Sequence, residues 1–214
     1  MPAYNSAGLS PLGAAYETVD DCRHDWDAWV EFAVEQGFHN IALWGHSLGA
    51  VKSIYYMAKE NDPRVRCVVA ASPPRFSYEL FTQAPDEGAE FRRVCQLAQQ
   101  HVDAGQPETL LQTAHPVPLL VAARVFLDKY GPEARYDIVE HIPNLKVPTL
   151  LFIGTDETPR LSFAESPPVM RQLQAQMQDF RFESIPEADH FYTNQRDYVW
   201  DLVSGWLRSV KHPA

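Results

Sequence analysis

The pentapeptide Gly45-His46-Ser47-Leu48-Gly49 follows the apolar run Ile41 to Trp44 and precedes a helix-like stretch from Ala50 to Lys59. A strand that turns sharply into a helix around a serine is a demanding local arrangement. The serine is held in a strained backbone conformation, and glycines on either side leave room for strand and helix to approach closely. Its hydroxyl is pushed outward. The helix that starts at the same turn directs free N–H groups and its positive dipole end toward any anion formed there. Ser47 is the candidate nucleophile, and the Leu48 N–H is the candidate oxyanion donor. A serine opening a helix also serves as an N-cap, so the pattern needs support from the rest of the chain.

A hydroxyl near neutral pH is a weak nucleophile without a base to take its proton, and an imidazole base needs a carboxylate to fix its tautomer. Two later segments supply these groups. Val147 to Gly154 reads as a buried strand ending in a turn, with Asp156 and Glu157 just beyond it. Arg181 to Ile185 alternates like a half-buried strand, and the loop Pro186-Glu187-Ala188-Asp189-His190-Phe191 follows. His190 is the candidate base. The acid is Glu157 or Asp156, and whichever is not used caps the following turn.

Ser47, an acid and His190, in that order and each beyond a strand, resemble the corresponding motifs of the α/β-hydrolase superfamily of serine hydrolases. The resemblance rests on Gly45-His46-Ser47-Leu48-Gly49, the Pro148 to Gly154 strand with its acids, and Asp189-His190-Phe191. It spans roughly the C-terminal two-thirds of a family member. It implies an α/β fold, with a mostly parallel sheet flanked by helices, N-terminally shortened. It also implies hydrolysis of a carboxylic ester or thioester through an acyl-enzyme, with no cofactor. Family members commonly place the carboxylate three positions after the glycine, which favours Glu157, while Asp156 has the commoner residue type. The strands that normally precede residue 19, and the loop giving a second oxyanion N–H, are expected to be absent, with Met1 to Ala15 reading as an entry loop. On that expectation, Ile41 to Trp44 forms an exposed apolar edge through which two copies pair or at which a partner supplies the missing half. The same expectation motivates an alternative reading, a catalytically impaired scaffold used for binding or assembly.

Elsewhere the periodicity predicts a helix over 19–36, capped by Thr18 with Asp21 and carrying an apolar stripe of Cys22, Trp26, Trp29, Val30 and Ala33. It predicts a parallel strand over 65–71 and a last helix over 196–210 with Val199, Leu202, Val203, Trp206, Leu207 and Val210 on one face. Residues 75–145 read as helical, with a helix around Phe91 to Ala98, a short turn over 109–113 and a helix over 119–130. In the resembled fold such an insertion forms a lid, leaving 1–74 and 146–214 as the core of a single domain. Phe76, Tyr78, Phe81, Phe126 and Tyr130 are candidates to line an acyl or aryl pocket, or else form the lid's own core, and His46 is a further candidate substrate contact.

The 214 residues and 45% apolar content allow one substantial core. A formal charge of −10 argues against nucleic-acid or anionic-membrane partners. No apolar run is long enough to span a bilayer, and Met1 to Asn5 lack signal-peptide features, so a cytoplasmic location is expected. Cys22, Cys67 and Cys95 read as buried free thiols. No Cys/His cluster has metal-site spacing.

Overall fold

The computed structural model describes residues 13–210. The reading of Met1 to Ala15 as an entry loop therefore falls, as far as residue 12, outside the described residues. In chain order the elements are α1 (Cys22–Glu35), β1 (Ile41–His46), α2 (Leu48–Glu60), β2 (Val65–Ala71), α3 (Tyr78–Gln83), α4 (Gly88–Asp103), β3 (Leu110–Thr113) and β4 (Leu119–Ala122). They continue with α5 (Ala123–Tyr130), α6 (Ile138–His141), β5 (Thr149–Gly154), α7 (Leu161–Ala164), α8 (Ser166–Gln176), β6 (Phe180–Ile185) and α9 (Arg196–Ser209).

The chain divides into two compact units. One comprises Cys22–Arg75 with the described residues from Asp137 onward; the other comprises Phe76–Tyr136 with the described residues up to Asp21. The first unit is built on a four-stranded parallel sheet in the order β1-β2-β5-β6. Every residue of β5 is buried, as expected of a central parallel strand covered on both faces. β6 buries Phe180, Phe182 and Ile185, and among the described residues it is an edge. On one face, Val199, Val203 and Trp206 of α9 pack with Val69, Ala71, Leu150, Phe152 and Ile185 of the sheet, and Leu202, Leu207 and Val210 lie against that cluster. This is the face expected from the helix's periodicity.

β1 forms the other edge, and among the described residues it pairs with β2 alone. Leu43 is buried, but Trp44 is 45% exposed. The predicted stripe on α1 is only partly buried. Cys22 and Val30 turn inward, whereas Trp29 is exposed and meets Phe32 edge-on at 6.0 Å. Neighbouring residues lie about 100° apart around a helix, so Trp29 cannot share Val30's inward direction. The helix also starts at Cys22, later than expected. Thr18 donates from both its N–H and its hydroxyl to Asp21 Oδ2, at 2.8 Å each, so the carboxylate caps the threonine.

The second unit departs further from the helical expectation. Residues 110–113 and 119–122 form an antiparallel hairpin, and only from Ala123 does the predicted helix begin. Leu-Leu runs are compatible with either state, and cross-strand pairing decided for strand here. Its core is aromatic: Phe91 packs on Phe81 and Phe126, and Tyr130 packs on Phe76, Phe81 and Phe126, with centroids 5.2–6.0 Å apart.

The chain leaves the sheet unit at Arg75 and re-enters it at Asp137. These two residues form a forked ion pair, with Nη2 to Oδ2 at 2.8 Å and Nε to Oδ1 at 3.2 Å, both largely buried. Asp137 also caps α6 through the Val139 N–H. The three cysteines are buried and in no disulfide, and burial pushes the Cys67 and Cys95 thiols up to about 11.

A second buried charge sits at the entry to β2. Burial alone would raise the Asp62 carboxyl, but bonds from Arg64, from the Tyr56 hydroxyl at 2.5 Å and from the Arg64 N–H outweigh it, holding it at about 2. Because this value is depressed in the folded state, its stabilisation is fully present above about pH 4 and disappears as pH falls through about 2. Asp62→Asn is expected to cost about 2 kcal/mol at pH 7 and to flatten the acid limb between about pH 4 and 2. Urea denaturation as a function of pH measures both.

Candidate active site

Ser47 joins β1 to α2 with φ 55° and ψ −125°. A non-glycine residue in this region is strained by about 1–3 kcal/mol, and packing holds it there. The Ser47 N–H donates to the Ala71 carbonyl at 2.9 Å. A Cβ on Gly45 would lie 2.2 Å from the Gly49 carbonyl oxygen, so this turn admits only glycine at 45. At Gly49 the expectation fails, since a Cβ there would meet open space. Leu48 opens α2, where the first N–H groups lack intrahelical acceptors.

Of the two candidate carboxylates, Glu157 is the one bonded to His190. Glu157 is 1% exposed, and its Oε2 lies 2.5 Å from His190 Nδ1. Its Oε1 accepts from the Gly154 N–H at 2.9 Å and from Ser72 Oγ at 2.5 Å. Asp156 is exposed, and its N–H donates to the Ala188 carbonyl at 3.1 Å. β5 can end this close to the histidine loop because a Cβ on Gly154 would fall 2.2 Å from that carbonyl oxygen.

Asp189 shapes the loop that carries His190. Its carboxylate accepts from the N–H groups of Phe191 and Thr193 and from the Thr193 hydroxyl. Those bonds, the Thr193 N–H first, hold its carboxyl below the usual range. His46 supports the same loop from below: its ring lies 4.8 Å from that of His190, and its Nε2 donates to the His190 carbonyl at 2.7 Å. A carbonyl only accepts, so the His46 proton sits on Nε2. Among the described residues, no hydrogen bond joins Ser47 Oγ to His190.

Sequence reasoning missed Ser72 and Tyr192. Ser72 bonds both Glu157 and the Tyr192 hydroxyl, and that hydroxyl is also 3.3 Å from the Phe152 carbonyl oxygen. Both contacts are long-range, and the only sequence signal is position, since one residue directly follows β2 and the other follows His190 by two. Of the proposed substrate contacts, Phe76 and Phe126 are buried in the aromatic core of the other unit, and Tyr78 packs there on Phe91. A pocket of about 220 Å³ lies beside His46, lined also by Trp44, Ala71, Phe152, Phe191, Tyr192 and Val199.

A nucleophile-type turn, an anchored imidazole and a buried carboxylate at the C-terminal ends of parallel strands define a hydrolase-type α/β scaffold. The model of the alpha/beta hydrolase family matches residues 3–202, and the chain belongs to that family. No curated protein matches the sequence at a significant level. Among solved structures, a monoacylglycerol lipase from Paleococcus ferrophilus is 18% identical with TM-score 0.64, over 94% of this chain and 79% of that one. Est1E from Butyrivibrio proteoclasticus is 18% identical with TM-score 0.60, over 90% and 70%. A monoglyceride lipase from Saccharomyces cerevisiae is 14% identical with TM-score 0.61, over 91% and 70%. At these identities the likeness is one of fold. Among the described residues, no helix is long and apolar enough to cross a membrane.

Glu157→Ala would leave the Gly154 N–H, Ser72 and His190 without their shared acceptor. It is expected to cost about 3 kcal/mol, while Asp156→Ala stays within about 0.5 kcal/mol. Chemical denaturation of the two variants distinguishes them.

Proposed function

We propose that the chain is a serine hydrolase that cleaves a carboxylic ester or thioester through an acyl-enzyme intermediate. The observation that carries this reading is the buried Glu157 carboxylate bonded to His190 Nδ1, which leaves Nε2 to act as the base. Ser47, strained at the start of α2, supplies the nucleophile. In the first half-reaction, Ser47 Oγ attacks the carbonyl carbon as its proton passes to His190 Nε2. The Leu48 N–H holds the oxyanion. Collapse of the intermediate expels the alcohol or thiol, which takes the proton from His190. Water, deprotonated by His190, then attacks the acyl-serine, and the acid leaves as Ser47 regains its proton. The Glu157 carboxylate holds the ring through Nδ1 and stabilises the imidazolium.

The approach of Ser47 Oγ to His190 is completed with substrate in place, as catalytic hydrogen bonds often tighten only in the complex. The pocket beside His46 is lined mostly by apolar groups and favours an apolar acyl or aryl portion of small size. The two neighbours named as lipases support an ester as substrate.

A second reading, an assembly module, is favoured by one observation: the β1 edge, unpaired among the described residues, with Trp44 exposed. Two copies would add strands there. Sedimentation at rising concentration tests it, and a monomer throughout would remove it.

A fluorophosphonate probe is expected to add once to the purified chain, and the adduct is expected to vanish in Ser47→Ala, read by intact mass. His190→Ala is expected to slow labelling by about a hundredfold to ten-thousandfold. Adduct formation that survives Ser47→Ala would refute the enzyme reading.

A further inference from the structure

We propose that Ser72 and Tyr192 are positioning residues that turn the Glu157 carboxylate toward His190. This rests on the reading of His190 as the base.

The argument is one of proton counting. An ionised carboxylate only accepts, so the single Ser72 hydroxyl proton is committed to Glu157 Oε1 at 2.5 Å. The Ser72 oxygen is then free to accept, and the Tyr192 hydroxyl beside it donates. That phenol has one alternative acceptor, the Phe152 carbonyl at 3.3 Å, which is the longer contact. Burial, opposed in part by the bond to Ser72, pushes the phenol upward, so Tyr192 stays a donor across the working pH range. With the Gly154 N–H also on Oε1 at 2.9 Å, that oxygen is filled, and Oε2 faces Nδ1. The result is an ordered chain, from Tyr192 to Ser72 to Glu157 Oε1, and from His190 Nδ1 to Glu157 Oε2. It sets the imidazole proton on Nδ1 and leaves the Nε2 lone pair toward the nucleophile.

The backbone points the same way. Ser72 and Tyr192 both have positive φ, 47° and 54°. Such strain is retained where the surroundings over-determine it. The Ser72 N–H is fixed on the Phe152 carbonyl at 2.8 Å, and the Tyr192 ring packs on Phe152 with centroids 5.3 Å apart. Ser72 does not line the pocket beside His46 and acts through Glu157; Tyr192 lines that pocket with its ring, while its hydroxyl reaches Glu157 through Ser72.

The test uses Ser72→Ala, Ser72→Gly and Tyr192→Phe, each taken forward only with native circular dichroism. Both Ser72 variants delete the hydroxyl, but glycine relieves the left-handed backbone and alanine does not. The first readout is the downfield proton resonance of His190 Nδ1–H in histidine-labelled protein, with His190→Gln as its assignment control. It needs no turnover. The second is the rate of fluorophosphonate labelling at Ser47, with kcat and KM on an activated ester. We expect the resonance to shift or broaden in all three variants. Labelling and kcat are expected to fall about tenfold to a hundredfold in both Ser72 variants, less in Tyr192→Phe, with KM little changed. Wild-type labelling rates and an unmoved resonance in the Ser72 variants overturn the inference, as does a loss in Ser72→Ala that Ser72→Gly restores. If both Ser72 variants fail to fold, Tyr192→Phe decides by the same readouts. If the wild-type chain itself does not label, the hydrolase reading fails, and the resonance alone decides this inference: moved in the variants, it stands; unmoved, it falls.

Discussion

The constraint on which this site depends is the burial of one carboxylate. Glu157 is almost wholly removed from water, where an uncompensated charge would cost several kcal/mol. The fold answers with three donors on its two oxygens: a main-chain N–H, a serine hydroxyl and an imidazole. Each donor comes from a different segment. The geometry of the histidine is thus set by the solvation of its partner, and the solvation is set by the sheet.

The parallel arrangement makes that convergence possible. Ser47 follows β1, Ser72 follows β2, Glu157 follows β5 and His190 follows β6. Parallel strands deliver all four loops to the same edge of the sheet, where ligand sites of such folds lie. Four of the six non-glycine residues with positive φ among the described residues, Ser47, Ser72, Glu187 and Tyr192, fall in these loops. Strain has collected where the chain must turn sharply.

Much of this was legible in the sequence because it is local. The strand-turn-helix around Ser47, the strands ending near Gly154 and Ile185, and the α9 face from Val199 to Val210 each follow from patterns within about fifteen residues. The order of elements led to the expectation of Ser47, an acid and His190 at one end of the sheet, where Glu157 and His190 are hydrogen-bonded. What could not be read is tertiary. Glu157 and Asp156 are adjacent and chemically alike, and only burial separates them. Ser72 meets Glu157 across 85 positions and Tyr192 across 120. The hairpin at 110–122 forms because its strands find each other, which propensity in Leu-rich segments does not decide. The stripe on α1 was over-read, since an apolar residue predicts burial only where something covers it, and Trp29 stands in the open.

The Arg75–Asp137 fork has a consequence for how such a chain can change. It ties together the points where the backbone departs from the sheet unit and returns to it, at 2.8 Å between side chains. The segment in between is therefore an excursion with its two ends already joined. The closure entropy of such a loop grows only by about 0.6 kcal/mol for each doubling of its length. Segments of quite different size and sequence can be exchanged at this junction while the sheet and the Glu157 network keep their registration. The fork makes the junction a graft point, fixed on the sheet side whatever the length of the segment it closes.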